Sequence, residues 1–182
     1  MLKHCHISSR VAASAVAGCA AFVLATSAGA IDLRDWGRKY PADQRFVVLT
    51  QFNNAAVLDK ETQLLWERSP DPTPLSWYAA DYTRCGMTAI GGRYGWRLPS
   101  RAEFMSLLDP AASAPVKLPA GHPFVGIVPN GDYWTNDRAS DPNPDFDQHK
   151  VKVAVANGVQ FIAYLPGGFV GYTWCVRGME AT

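Results

Sequence analysis

The sequence has 182 residues, of which 48% are hydrophobic and 18% charged, and its formal net charge at pH 7 is +1. This length and composition suit one globular domain with its own core. The near-neutral charge gives no basic surface of the kind that binds nucleic acid, so we expect no nucleic-acid partner.

Residues 1–30 have the three parts of a secretory signal peptide. Two basic residues and no acid come first, an apolar run follows from Val11 to Leu24, and Ala28-Gly29-Ala30 is a small-residue cleavage site. The run is short and rich in alanine, which argues against a transmembrane anchor. We therefore expect an exported protein without a membrane span, located in the periplasm or at the cell surface or outside it.

A second interpretation of the leader is lipidation. Val16-Ala17-Gly18-Cys19 resembles a lipobox, whose cysteine would be lipidated and become the mature N-terminus. The apolar run continues past Cys19 and a better-formed cleavage site follows it. Cleavage after Ala30 is therefore the preferred prediction, with lipidation at Cys19 as the alternative.

Export would leave two cysteines, Cys85 and Cys175, together with 15 basic and 16 acidic residues and a net charge of −1. An even pair of cysteines in an oxidising compartment predicts one disulfide bond. A metal site would need more ligands at closer spacing, and the remaining histidines, His122 and His149, stand alone in the sequence.

After an irregular N-terminal arm over residues 31–44, the domain is expected over residues 45–178. Its first part predicts a strand at 45–50 and a hairpin over 55–67 with a polar turn and with Trp66 in the core. The proline-rich segment 69–74 predicts a rigid loop. A first helix that ends at Cys85 is expected next, with one apolar stripe. The stripe consists of Leu75, Tyr78, Ala79 and Tyr82.

A second helix has the best-defined start in the chain. Ser100 and Glu103 have the spacing of a capping box, in which each side chain accepts a hydrogen bond from the other's backbone N–H. Phe104, Leu107 and Leu108 then give one apolar face, and Asp109-Pro110 ends the helix.

After the second helix, the sequence predicts a long surface loop followed by strands. The loop covers 110–129, with 124–127 as its buried piece. Strands are expected at 133–135 and in a hairpin of 150–156 with 159–164 around Asn157-Gly158, and a last strand at 170–177.

Several of these segments together resemble one protein family. They are Ser76-Trp77-Tyr78-Ala79-Ala80, Cys85, Gly95-Trp96-Arg97-Leu98-Pro99-Ser100 with Glu103, Tyr133-Trp134, and Cys175-Val176-Arg177. In order and spacing they are similar to the Lcl C-terminal domain family, a bacterial extracytoplasmic family named after a collagen-like adhesin. The resemblance implies a single compact α+β domain with two helices packed on short antiparallel strands, in a C-type lectin-like layout. It also implies sugar or glycosaminoglycan binding.

The sequence gives little support for catalysis. It contains no GxSxG, HExxH or P-loop motif, and its acids do not suggest a glycosidase pair. The segment from Arg97 to Phe104 is similar to one in formylglycine-generating oxidases, which hold copper with two cysteines near the C-terminus. Here only Cys175 lies there. We expect a non-catalytic binding module, with an oxidase-type enzyme on that scaffold as the least favoured alternative.

The loop from Asn136 to Gln148 is the candidate site. Its hard oxygen ligands are of the kind that calcium requires, and Trp134 to Asp137 is similar to the Trp-Asn-Asp tripeptide at the calcium and sugar site of C-type lectins. The Glu-Pro-Asn tripeptide that should precede it is absent, and a solvated acidic turn is the alternative. The metal ligands would be Asp137, Asp141, Asp145 and Asp147, and the residues that contact a ligand Tyr133, Asn136, Asp137 and Asn143.

Most aromatic residues are assigned to the core, because Trp and Tyr dominate burial in small domains. Arg97 is expected in a buried structural pairing, with a clamp on a substrate as the alternative. Sugar binding would need an exposed aromatic ring, for which Tyr133, Tyr164 and Tyr172 are candidates. The expected partner is a glycan, a glycosaminoglycan or an envelope protein. A purely structural or interaction domain without a small ligand is the main alternative.

Overall fold

Short strands and short helices alternate along the chain. The computed structural model describes residues 40–113, 115–139, 149–164 and 168–178, and for Tyr164 only the backbone. The elements are α1 (Ala42–Arg45), β1 (Phe46–Leu49), a 3-10 helix (Thr50–Phe52), β2 (Ala56–Asp59), β3 (Leu64–Glu67), β4 (Asp71–Leu75), a π-helix (Ala79–Gly86), α2 (Arg101–Leu107), β5 (Asp132–Arg138), β6 (His149–Ala154), β7 (Gln160–Tyr164), β8 (Gly171–Thr173) and β9 (Val176–Gly178).

The strands form two sheets. The first has the order β1-β2-β3-β9, and all of its pairs are antiparallel. The second has the order β4-β8-β5-β6-β7, in which only β5 and β8 run parallel. The hairpins predicted from the sequence are β2–β3 and β6–β7. Both are confirmed, because a polar or Asn-Gly turn between apolar strands is a local signal.

The first sheet is covered on both faces, so the described residues contain two core clusters. Trp66 and Val57 point to one side, where Phe104 of α2 packs against Trp66 with a ring-centroid distance of 6.2 Å. Leu65 and Ala56, at alternate positions of the same strands, point to the other side and join a second cluster. The five tryptophans in the described residues are all buried. They are Trp66, Trp77, Trp96, Trp134 and Trp174.

The N-terminus of α2 is built as predicted. The Ser100 hydroxyl accepts from the Glu103 N–H at 3.1 Å, and the Glu103 carboxylate accepts from the Ser100 N–H at 2.7 Å. Phe104 and Leu107 are fully buried. Arg97 pairs with Glu103 through two hydrogen bonds of 2.6 and 2.7 Å, so the expected structural pairing forms, although the Arg97 side chain is only partly buried.

Three element predictions were wrong. The segment at 69–74 contains most of the strand β4, which tolerates Pro72 and Pro74 because it is the end strand of its sheet. The first helix is a π-helix, and Tyr78 and Tyr82 are exposed instead of forming an apolar stripe. The expected last strand is two strands, β8 and β9, in different sheets. In addition, α1 begins within the predicted irregular arm.

The predicted disulfide bond is present between Cys85 and Cys175, whose Cα atoms are 5.6 Å apart. It connects the π-helix to the residue pair between β8 and β9. The Trp174 indole, next to Cys175, donates to the Glu67 carbonyl oxygen at 2.7 Å. The point at which the chain passes from one sheet to the other is therefore held both covalently and by a buried hydrogen bond. The whole is an α+β domain of two sheets and few helices.

Candidate functional site

Tyr133 was predicted as an exposed ligand-binding ring, and the structure corrects this. Its side chain is fully buried, packs on Phe104 with a centroid distance of 5.7 Å, and its hydroxyl accepts from the Val128 N–H at 2.9 Å. Burial raises the pKa of the Tyr133 phenol to about 12. A core position follows from its place in a central strand, and Tyr133 offers no face to a ligand.

Asn136 and Asp137 lie at the end of β5 beside the start of α2. The Asn136 N–H donates to the Pro99 carbonyl oxygen at 2.9 Å, and the Asn136 side chain is exposed. The Asp137 carboxylate accepts from the N–H of Arg101, the first residue of α2. Asp137 therefore already satisfies one of the N–H groups that a helix start leaves unpaired.

The other predicted loop residues, Asp141, Asn143, Asp145 and Asp147, lie outside the described residues. Within the part of the chain that the structure describes, no group of three or more His, Cys, Asp or Glu side chains is arranged to hold a metal ion. The calcium site thus stays a prediction for the 136–148 loop.

An ion network surrounds the disulfide bond. The Arg84 guanidinium pairs with the carboxylate of Glu67 and, at 2.9 Å, with that of Asp71. It also lies 3.9 Å from the Cys175 sulfur. Burial raises the pKa of Glu67 despite the neighbouring Arg84. These groups join β3, β4 and the π-helix, and their hydrogen bonds are used within the fold. Both cysteine sulfurs are held in the disulfide, so neither offers a thiolate ligand while the bond is intact.

The π-helix and its N-cap residue, Tyr78, present two aromatic rings to solvent. Tyr78 and Tyr82 are 56% and 65% exposed, whereas Ala80 and Cys85 on the other side are fully buried. The spacing of five between the buried residues matches the i→i+5 hydrogen bonds of a π-helix. We call the exposed pair Tyr78 and Tyr82 the tyrosine platform.

Charged and aromatic groups lie directly beside the tyrosine platform. The Trp77 ring stands edge-on to Tyr78 at 5.4 Å between centroids, and the Lys150 ammonium lies 3.9 Å from the Trp77 centroid. The Trp77 indole donates to the Thr135 carbonyl oxygen at 2.8 Å, which fixes the ring. Burial raises the pKa of the Asp81 carboxyl, an effect that the charge of Lys150 opposes. The platform is thus backed by a rigid, polar support.

Sequence reasoning missed the tyrosine platform because it applied a period of 3.6 residues to this helix. With that period Tyr78 and Tyr82 fall on the buried stripe. The signal that could have corrected it is the pair Ala80 and Cys85, a small residue and a predicted disulfide cysteine five positions apart.

The comparison with family models gives a match to the Lcl C-terminal domain over residues 55–177. The chain belongs to the Lcl C-terminal domain family. The matched range contains the tyrosine platform, both cysteines and the start of α2. A search of curated proteins found no significant match, and a search of solved structures found none. Within the described part of this Lcl-family chain, no helix is long and apolar enough to cross a membrane.

Proposed function

We propose that the chain is an exported, non-catalytic binding module whose ligand is a carbohydrate or another cell-surface molecule. The observation that carries this proposal is the tyrosine platform. The five described tryptophans are buried in the core. The phenol rings of Tyr78 and Tyr82, by contrast, are more than half exposed at a helix that a disulfide bond holds in place. Rigid aromatic rings next to hydrogen-bonding groups suit the apolar faces and hydroxyls of sugars.

Other features support the proposal without testing it. The disulfide bond fits an oxidising compartment and therefore export. The ionic groups around it are engaged in structural pairs. We also infer a C-type lectin-like layout from the arrangement of α2 over antiparallel strands, which an experimental structure compared with known lectin-like domains would test.

Binding is tested on a glycan array with the exported protein, with and without calcium. We expect at least one glycan class to bind, and Tyr78→Ala and Tyr82→Ala each to weaken that binding about tenfold, in line with the loss of a stacked ring. The matched control is Tyr94→Ala, because Tyr94 is 64% exposed but lies outside the π-helix. If Tyr78→Ala and Tyr82→Ala bind glycans as tightly as Tyr94→Ala and wild type do, the tyrosine platform is not the binding site.

The calcium prediction needs a separate variant. Asp145→Ala is the informative change, because Asp137 also caps α2 and its loss would weaken the fold. If calcium binds the loop, it raises the melting temperature of wild type and not of Asp145→Ala. A structural domain without a small ligand is favoured if neither glycans nor calcium gives a signal.

Export is tested by the intact mass of material recovered outside the cytoplasm. We expect an N-terminus at Ile31. A diacylglycerol-modified Cys19 would instead establish the lipobox interpretation.

A further inference from the structure

Among the described residues, the outer side of β7 is a strand edge without a pairing strand. β7 is the end strand of the five-stranded sheet. Natural edge strands are usually protected by charged residues, proline or a bulge. The segment from Val159 to Tyr164 contains no charged residue and no proline. Its pairing with β6 is regular over five residue pairs, so it contains no bulge.

β7 and the residue before it carry exposed apolar side chains. Of the twelve large hydrophobic side chains that are exposed in the described residues, three belong to this part of the chain: Val159, Phe161 and Ile162. Ile162 is 66% exposed on one face of β7, and Phe161 is 42% exposed on the other. Phe161 stands opposite Lys152 of β6.

The hydrogen-bond pattern shows which backbone groups of β7 point outward. The Ala154 N–H donates to the Val159 oxygen at 2.8 Å, so these two residues form a hydrogen-bonded pair. Hydrogen-bonded and non-hydrogen-bonded pairs alternate along an antiparallel ladder. The N–H and C=O groups of Gln160, Ile162 and Tyr164 therefore point away from β6, toward the place of a further strand.

We propose that this edge pairs with β7 of a second copy of the chain, antiparallel and about a two-fold axis at Ile162, to form one continuous ten-stranded sheet from the two five-stranded sheets. In that register Ile162 faces Ile162 of the other copy, and Gln160 faces Tyr164, so all three outward-pointing residues form hydrogen-bonded pairs. Phe161 faces Ala163, a large side chain against a small one. No charged side chains of β7 itself stand opposite each other, which is a condition that a self-pairing strand must meet.

Neighbouring registers fit less well. A two-fold axis moved to Gln160 would place Gly158, in the β6–β7 turn, opposite Ile162. An axis moved to Tyr164 would place Pro166 opposite Ile162, where the ladder needs a backbone N–H. The Ile162 register alone uses the full strand. The pairing is independent of the tyrosine platform and of any ligand.

The test is sedimentation of the exported protein over a range of concentrations. We expect a monomer–dimer equilibrium, and Ile162→Lys should raise the dimer dissociation constant about tenfold or more, because it places two like charges opposite each other. Tyr94→Lys is the matched control, since Tyr94 is 64% exposed and lies elsewhere. It should leave the dissociation constant unchanged. A monomer at concentrations up to about 1 mM would overturn the proposal.

A second variant guards against misfolding of Ile162→Lys. Ile162→Cys preserves an uncharged strand and should form a covalent dimer on oxidation, because paired residues of an antiparallel ladder lie within disulfide reach. Tyr94→Cys should not. Peptide mass analysis verifies that the Cys85–Cys175 disulfide bond is intact in both cysteine variants. A dimer that persists in Ile162→Lys, or that Ile162→Cys fails to crosslink, places the contact elsewhere and refutes the β7 pairing.

Discussion

The Ser100–Glu103 capping box is the residue-scale feature with the clearest energetic role. Ser100→Ala removes the acceptor for the Glu103 N–H at the start of a helix whose Phe104 is fully buried. We expect it to lower the free energy of unfolding by about 1 kcal/mol, as for other cap deletions. Urea unfolding measures this. Ser106→Ala, in the same helix, is the control and should change stability much less, because Ser106 is exposed, its hydroxyl donates to the Glu103 carbonyl oxygen of the preceding turn, and its backbone contact with Arg45 is kept.

The Arg97–Glu103 pair predicts acid sensitivity. Partial burial alone would raise the pKa of Glu103, but hydrogen bonds from Arg97 and Ser100 outweigh it and hold the pKa below 4.5. A carboxyl with a lowered folded-state pKa stabilises the fold above its unfolded pKa and loses that contribution as pH falls through the folded pKa. The stabilisation from Glu103 should therefore disappear in acid.

The measurement compares wild type with Glu103→Gln by urea unfolding between about pH 6 and pH 3. The difference in unfolding free energy between wild type and Glu103→Gln should be largest at the highest pH and should shrink as the pH falls. Glu67 acts in the opposite direction, because burial raises its pKa, but it is present in both proteins and cancels in the difference. A difference that is constant with pH would contradict the prediction.

At the scale of elements, local signals predicted the structure and non-local ones did not. The start of α2 and the β6–β7 hairpin depend on residues within a few positions of each other. β4 was missed because two prolines are typical of a loop, and only its end position in a sheet makes them compatible with a strand. The π-helix was missed because its period differs from the one that was applied.

The disulfide bond carries the element-scale prediction. It closes a chain segment with a sequence separation of 90, for which the chain-entropy model gives about 4–5 kcal/mol of stabilisation. The double variant Cys85→Ser/Cys175→Ser should lose that amount in urea unfolding, and reductant should destabilise wild type similarly. Reductant should have no further effect on the double variant. Equal unfolding midpoints for oxidised wild type and the double variant would show that the bond adds no stability.

At the scale of the whole molecule, sequence predicted the domain's class and family but only part of its site. The two cysteines and the core tryptophans could be assigned from residue type alone. A pair of cysteines in an oxidising compartment is expected to form a disulfide, and large aromatic side chains are expected in the core. Tyr133 could not be placed, because successive residues of a strand point to opposite faces of the sheet. The sequence does not determine which of the two faces Tyr133 occupies. The exposure of Tyr82 depended in the same way on helix period.

The position of β9 has a consequence for when the domain can fold. β9 completes the first sheet by pairing with β3, with Trp66 opposite Val176, and Val176 also bridges to Arg97. The contacts of Trp174 and Cys175 with Glu67 reach across more than a hundred residues. During synthesis from the N-terminus, β3 can pair with β2 but thus lacks its second neighbour, β9, until the chain has been made through Val176. On the proposed export, a chain with such a late-closing sheet would stay loose while it is threaded through a narrow translocation pore, and its disulfide bond would form only on the far side.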